Sequence, residues 1–443
     1  MSTKHGTLSA MKIHSCIWVC IILTIATVSC SQATTGEIDI SEPSATVAVK
    51  PTVTTPSPNI IEQNTISSLN TSNTNNDTST SSETLTPAHN SINAGQIALR
   101  NSNWQAAIDS YIVALEQTEE EDPIHLDAHL GLAHSYLRSK AVWTALETLE
   151  TFEANHPTAH NMADAIFLLG LTNHQLGNHT IAIQYFDQYL EQYPNIIDSY
   201  VLELSGDAYR SLAKYSTSAD YYEAAILKPR GTNINFLLLD KAEVLQAAGK
   251  TSESISLFDL VANNTKYDNT RAQMDYKRAQ TMVAANQINT AIQYYKHAVN
   301  TYPESYYSYL SLVELLSYGT IVNEFQRGLI DYHADQHTPA ILAFRRYLST
   351  NPDHDAQAHY YMALSYRNLD NIAAAKLHFQ EIIDTHTNDP LWGEAWLEIA
   401  YTQWGWEENY SGAVSNLKDM VSTYPKHSMT PEILFYAARV AER

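Results

Sequence analysis

The feature that most constrains this chain is a spacing. Small residues recur at one position down its length: Ala107, Ala145, Ala182, Ser218, Ser254, Ala291, Ala340, Ala375 and Ala413. The intervals run from 35 to 38 residues, apart from one of 49 between Ala291 and Ala340. Twelve residues ahead of each of the first eight stands another small residue: Gly95, Ala133, Gly170, Gly206, Ala242, Ala279, Gly328 and Ala363. The ninth unit slips by one, with Ala400 thirteen before Ala413. Four residues after each comes a bulky apolar side chain: Tyr111, Leu149, Phe186, Tyr222, Phe258, Tyr295, Phe344, Phe379 and Leu417. Self-similarity at a fixed period means a repeat architecture, in which each unit leaves an apolar face that only stacking can cover.

The pattern has a helical reading. Two antiparallel helices approach closely only where both carry Gly, Ala or Ser. The bulky residue one turn later is expected to fill the space between that pair and the next unit's first helix. Gly177-Asn178 and Gly249-Lys250 suit the turn between helices, where a left-handed residue is needed. Pro157, Pro194, Pro303, Pro352 and Pro425 follow the second helices and redirect the chain. With only 14 glycines in 443 residues, an all-β or Gly-loop fold is disfavoured.

Units such as LGLTNHQLGNHTIAIQYFDQYLEQYP, Leu169 to Pro194, resemble the tetratricopeptide (TPR) signature at Gly170, Gly177, Ala182, Phe186 and Pro194. The resemblance runs from about Pro87 to Pro425. It implies an all-α, TPR-like helix-turn-helix solenoid of about nine repeats, wound as a right-handed superhelix whose concave face binds peptides or protein segments. Carried onto this chain, the groove positions of the first helices are Arg138, His174, Asp207, Arg210, Gln246, Tyr276, Gln280, Tyr332, Tyr360, Arg367 and Trp404. Aromatics, arginines and amides suit extended peptide or glycan strands through stacking and charge-assisted hydrogen bonds. An ordinary wetted surface is the plain alternative.

In the long interval, Tyr306 to Leu316 predicts one additional helix. Val322 to Pro352 also resembles the superhelical, non-catalytic part of soluble lytic transglycosylases. After Pro425, residues 431–443 read as a terminal helix with Ile433, Ala437, Val440 and Ala441 on its inward stripe. Leu434 and Phe435 add apolar surface beyond that stripe, as a mid-array helix would, which points to an array that continues in the parent protein rather than to a cap.

The amino terminus reads as an address. Residues 1–30 hold a basic region and the apolar run IWVCIILTIATV, too short for a permanent membrane span, ending in small residues: the layout of a secretory signal. Thr27-Val28-Ser29-Cys30 resembles the lipobox of bacterial lipoproteins, although Thr27 departs from the usual Leu. The resemblance implies that Cys30 is diacylated and becomes the mature amino terminus, anchoring the protein to a bacterial membrane on its extracytoplasmic side. All three cysteines, Cys16, Cys20 and Cys30, lie here, so the rest of the chain has no disulfide framework or thiolate metal site. Residues 31–86, rich in Ser, Thr, Asn and Pro, cannot bury enough surface to fold and read as a disordered tether. A coil of roughly 55 residues spans about 40 Å.

The formal net charge of −22 argues against nucleic acid as a partner. Catalytic candidates are sparse. The Glu253-Ser254 and Glu304-Ser305 pairs echo the lytic-enzyme motif but fall inside repeat units without its Gly-rich segments. His333 and His337, four apart on a predicted helix, could share a metal but lack a third ligand. The expectation is therefore a scaffold with no cofactor and no catalytic centre. Its partner would be a protein or peptide, or peptidoglycan. Two rival readings are the superhelical portion of a peptidoglycan lytic transglycosylase without its catalytic domain, and a TPR lipoprotein of outer-membrane assembly.

Overall fold

The computed structural model describes residues 86–443; the Cys30 lipobox and the Ser/Thr/Asn-rich tract lie outside the described residues. Among the described residues the regular structure is entirely α-helical, in twenty helices. Six pairs come first. They are α1 (Pro87–Arg100) with α2 (Trp104–Glu116), α3 (Pro123–Arg138) with α4 (Val142–Asn155), and α5 (Met162–Gln175) with α6 (His179–Gln192). Next are α7 (Asp198–Ser211) with α8 (Tyr215–Ile226), α9 (Asn235–Ala247) with α10 (Thr251–Asn264), and α11 (Asp268–Ala284) with α12 (Ile288–Thr301). The single helix α13 (Tyr306–Ser317) then fills the long interval. Three pairs follow: α14 (Glu324–His333) with α15 (His337–Thr350), α16 (Gln357–Asn368) with α17 (Ile372–Thr385), and α18 (Leu391–Gly405) with α19 (Tyr410–Thr423). Helix α20 (Thr430–Ala441) closes the described chain.

The nine repeating small residues of the second helices are all 0% exposed, and the bulky residues four later are buried with them. Serine fills the small position twice, and each time its hydroxyl finds a partner across the helix pair. Ser218 Oγ donates to the Gly206 carbonyl at 2.7 Å, and Ser254 Oγ to the Ala242 carbonyl at 2.8 Å. The bulky residue packs toward the next helix as expected, Phe344 against Tyr361 of α16 and Phe258 in one cluster with Met274 of α11, and its ring also covers the first helix of its own unit. A Cβ built on Gly95, Gly170, Gly206 or Gly328 would come within 2.5 to 2.8 Å of Tyr111, Phe186, Tyr222 or Phe344 respectively. Glycine is the residue that lets the ring close on the backbone. Only at Tyr111 does the ring also lie over a glycine of the next unit, Gly131 of α3.

Every pair turns through one left-handed residue, five positions ahead of the small one. These are Ser102, Lys140, Gly177, Ala213, Gly249, Asn286, Asp335, Asp370 and Glu408, with φ from 52° to 82°. The following N–H reaches the carbonyl five residues back, as from Asn178 to Asn173 and from Lys250 to Leu245, both at 2.9 Å. This is the Schellman closure of a helix end. In the ninth pair the bond from Asn409 spans six residues, to Gln403, at 2.8 Å. The one-residue slip between Ala400 and Ala413 is absorbed there, so both remain buried.

First helices pack on the first helices of neighbouring units: α1 on α3, α3 on α5, α5 on α7, α14 on α16 and α16 on α18. The inserted α13 packs on α11, α12 and α14; its Leu312 and Leu315 share one buried cluster with Ile330 of α14. In α20, Ile433, Ala437 and Val440 are buried, but Ala441, expected on the same stripe, is exposed at the end of the helix, and Leu434 and Phe435 are 48% and 60% exposed. No helix among the described residues is long and apolar enough to cross a membrane.

Candidate binding surface

The first-helix face divides into a charged half and an aromatic half. In the charged half, Arg210 of α7 reaches across to α9, with Glu243 at 2.7 Å and Asp240 at 3.3 Å. Lys277 of α11 meets the same Glu243 at 2.8 Å. Asp207 accepts a 2.5 Å hydrogen bond from the Tyr222 hydroxyl, and burial holds its carboxyl above the usual range. Arg210 cannot neutralise every carboxylate around it. Burial raises Glu243, but Lys277 and Arg210 outweigh that and hold it below its ordinary value. Asp240, half-buried and beside Asp207, is pushed up to about 7 by desolvation and that neighbouring carboxylate. The ladder is thus an acidic surface with one carboxyl poised to carry a proton.

The remaining groove residues of the first half stand apart. Arg138 lies 5.1 Å over the Trp104 ring at the end of α3. His174 contacts His179 Nδ1 to Nδ1 at 3.3 Å, and burial together with His179 lowers it to about 4, so it is neutral at physiological pH. Gln246 is half-buried on α9.

In the second half, Tyr276 is hydrogen-bonded to Gln280, with the rings of Tyr295 and Tyr307 at 5.8 and 6.1 Å. Tyr332 packs edge-on against Tyr361 at 5.0 Å. Tyr360 and Arg367 meet at one carboxylate. The Tyr360 hydroxyl donates to Glu398 at 3.3 Å, and the Arg367 guanidinium does so at 2.5 Å. Arg367 is itself buried, bonded also to Thr402 and lying 5.2 Å from the Tyr401 ring and 4.7 Å from that of Trp406. Its charge is held inside the fold. Trp404 packs with Tyr401 at 5.3 Å and stacks toward Tyr436 of α20 at 6.5 Å. What this half presents outward is half-buried aromatic and amide surface.

The residues that complete both nodes, Asp240, Glu243, Lys277 and Glu398, were not among the sequence candidates. Their signal is opposite charge one repeat apart: Arg210 and Glu243 are separated by 33 positions, Arg367 and Glu398 by 31. The two Glu-Ser pairs serve the fold. Ser254 makes the buried bond to Ala242, and Ser305 caps α13 while donating to Asn269 at 2.8 Å. His333 and His337 do not share a helix. His333 ends α14, His337 opens α15, and the left-handed Asp335 turns the chain between them. Among the described residues, the one place that brings three metal-ligating side chains within reach of a single ion is formed by His354, His359 and His386.

Comparison with known proteins adds family to geometry. Residues 86–196, which hold α1 to α6, match the outer membrane lipoprotein family YfiO. Residues 274–305 and 357–389 match tetratricopeptide repeats. No curated protein matches the chain. Among solved structures it is similar to a tetratricopeptide repeat protein from Parabacteroides merdae, at 14% identity over 63% of this chain and 98% of that one, with a TM-score of 0.39. It is also similar to PilF of Pseudomonas aeruginosa, at 20% identity over 52% and 97%, with a TM-score of 0.38. The chain folds as an all-helical solenoid of tetratricopeptide-like helix pairs, with two segments that match tetratricopeptide repeats and a first three pairs similar to an outer membrane lipoprotein family.

Proposed function

We propose that this protein is a lipid-anchored, extracytoplasmic scaffold of the bacterial envelope that captures an extended protein segment along its first-helix face. The observation that carries the reading is the composition of that face. Its strongest charges are engaged internally, around Glu243 and Glu398, so that Tyr276, Tyr332, Tyr360 and Trp404 with Gln246 and Gln280 are what a ligand would meet. Aromatic and amide groups recognise backbone and apolar side chains at little desolvation cost, whereas uncompensated charges would demand a partner for each. The acidic ladder beside them favours a segment carrying lysine or arginine.

The envelope location is supported by the lipoprotein family match and by the lipobox at Cys30. In this reading residues 1–30 are the signal, 31–86 the tether, 87–430 the binding solenoid and 431–443 its terminal helix. Photo-crosslinking in the native envelope tests the face. A benzoylphenylalanine at Gln246 or Gln280 should trap a polypeptide that the same probe at Glu191, on the exposed side of α6, does not. Equal trapping at both positions would defeat the groove. Cys30→Ser should move the protein from the membrane to the soluble fraction, and unchanged partition would defeat the anchor.

A further inference from the structure

Four imidazoles converge where the seventh helix pair meets the eighth. His354 lies in the link between α15 and α16, His359 in the first turn of α16, His378 within α17, and His386 at the carboxyl end of α17. One ring nitrogen of each of His354, His359 and His386 lies within 4.8 Å of the others. Their ring centroids are 5.0, 5.1 and 6.1 Å apart.

The surrounding bonds prepare these rings to ligate. His354 Nδ1 donates to the Asp355 carbonyl at 3.0 Å, which places the proton on Nδ1 and leaves the lone pair on Nε2. His359 Nδ1 is paired with His378 Nδ1 at 3.0 Å, leaving its other nitrogen for the shared space. His386 Nε2 is buried with no partner. A buried lone pair facing other imidazoles is costly unless something between them accepts it. Neutral imidazole is the form that binds metal.

We propose that His354, His359 and His386 form a binding site for a divalent transition-metal ion of the zinc class, with His378 orienting His359 from behind. An all-nitrogen set of three suits Zn²⁺, Ni²⁺ or Cu²⁺ over Ca²⁺ or Mg²⁺, which take oxygen ligands. With Zn–N distances near 2.0–2.1 Å, tetrahedral ligand atoms stand about 3.4 Å apart. The rings therefore close by about 1 Å around the ion, a movement that the linking segment carrying His354 can supply. The bound ion would tie that segment to the end of α17 and so fasten one repeat to the next.

The test uses the full chain without an affinity tag, titrated with Zn²⁺ in chelator-free buffer, and with Co²⁺ as a spectroscopic stand-in. Wild type should bind one ion per chain with a rise in thermal midpoint, and Co²⁺ should give visible bands of a tetrahedral nitrogen site. His354→Ala lies outside the helices and leaves folding intact; it and His386→Gln should each weaken Zn²⁺ binding about 100-fold. His378→Gln, acting through His359, should weaken it roughly 10-fold. Absence of stoichiometric binding in wild type, affinity unchanged in both His354→Ala and His386→Gln, or a thiolate charge-transfer band with Co²⁺ would each overturn the site.

Discussion

A methyl group added at Gly170 would sit 2.5 Å from the Phe186 ring, whose side chain is fully buried and has nowhere to go. Two effects oppose each other there. Alanine is the better helix former by about 1 kcal/mol, while overpacking a filled core costs about 1–3 kcal/mol. Gly170→Ala should therefore lower stability by about 1–2 kcal/mol. Gly405→Ala, where the nearest atom is an ordinary 3.5 Å away, should be neutral or stabilising. Paired thermal melts decide it, and a stabilised Gly170→Ala would mean that the ring does not lie where described. Asp240 poses the second residue-scale question. Its carboxyl is raised to about 7 by burial and by Asp207, so the folded state binds a proton more tightly than the unfolded chain. The sign follows: ionisation costs stability as pH rises from about 4 through about 7, and the full cost is felt above that range. Asp240→Asn removes the charge and keeps an acceptor for Arg210. The variant should gain about 1 kcal/mol at pH 8, discounted for partial exposure, and converge on wild type near pH 4. A gain equal at both pH values would rule out titration as its source.

Helices obey the spacing closely because what the spacing records, room at a crossing, is a property of single residues. Ala182 or Ser254 can be recognised without knowing what they touch. The same holds for the inserted α13, which the 49-residue interval announces, and for Ile433, Ala437 and Val440 of α20. Ile433→Ala should expose a cavity, costing about 2–5 kcal/mol of local stability, and speed amide exchange throughout α20. Phe435→Ala, at a mostly solvated position, should change neither by more than about 0.5 kcal/mol. Equal effects would show that α20 does not rest on its Ile433 face. Other features were not legible, for physical reasons. Seven of the nine helix turns place a non-glycine in the left-handed region, Ala213 among them, so composition does not mark them. The ion-pair nodes depend on residues a full repeat apart. The imidazole cluster joins an inter-unit link, a helix start and a helix end, a combination that no single period describes.

At the scale of the whole molecule, a stack held together by nearest neighbours fails first at its weakest link. Length alone would choose the eight-residue link Leu227–Ile234. That link, however, is pinned from inside. Arg230 meets Glu203 at 2.6 Å with both side chains about 95% buried, lies 4.3 Å over the Tyr200 ring and bonds Thr232, while Lys228 reaches Asp198 at 2.8 Å. The shorter link from Tyr318 to Asn323, between α13 and α14, has no such anchor at its centre, and Ile321 there is 94% exposed. Susceptibility to proteolysis follows burial and bonding of the backbone, not the number of residues in a loop. Thermolysin, which cuts ahead of bulky apolar residues, should therefore cleave residues 86–443 first at Thr320–Ile321. The products would be one piece carrying α1 to α13 and one carrying α14 to α20, each retaining helical signal because its own pairs remain stacked. Arg230→Ala strips the pin and leaves Glu203 buried without its partner, a loss of about 3–5 kcal/mol at that junction. In that variant the first cut should move to the Leu227–Ile234 link. If wild type is cut there first, or if the variant keeps the wild-type pattern, the buried pair does not hold the junction and loop length decides the weak point after all.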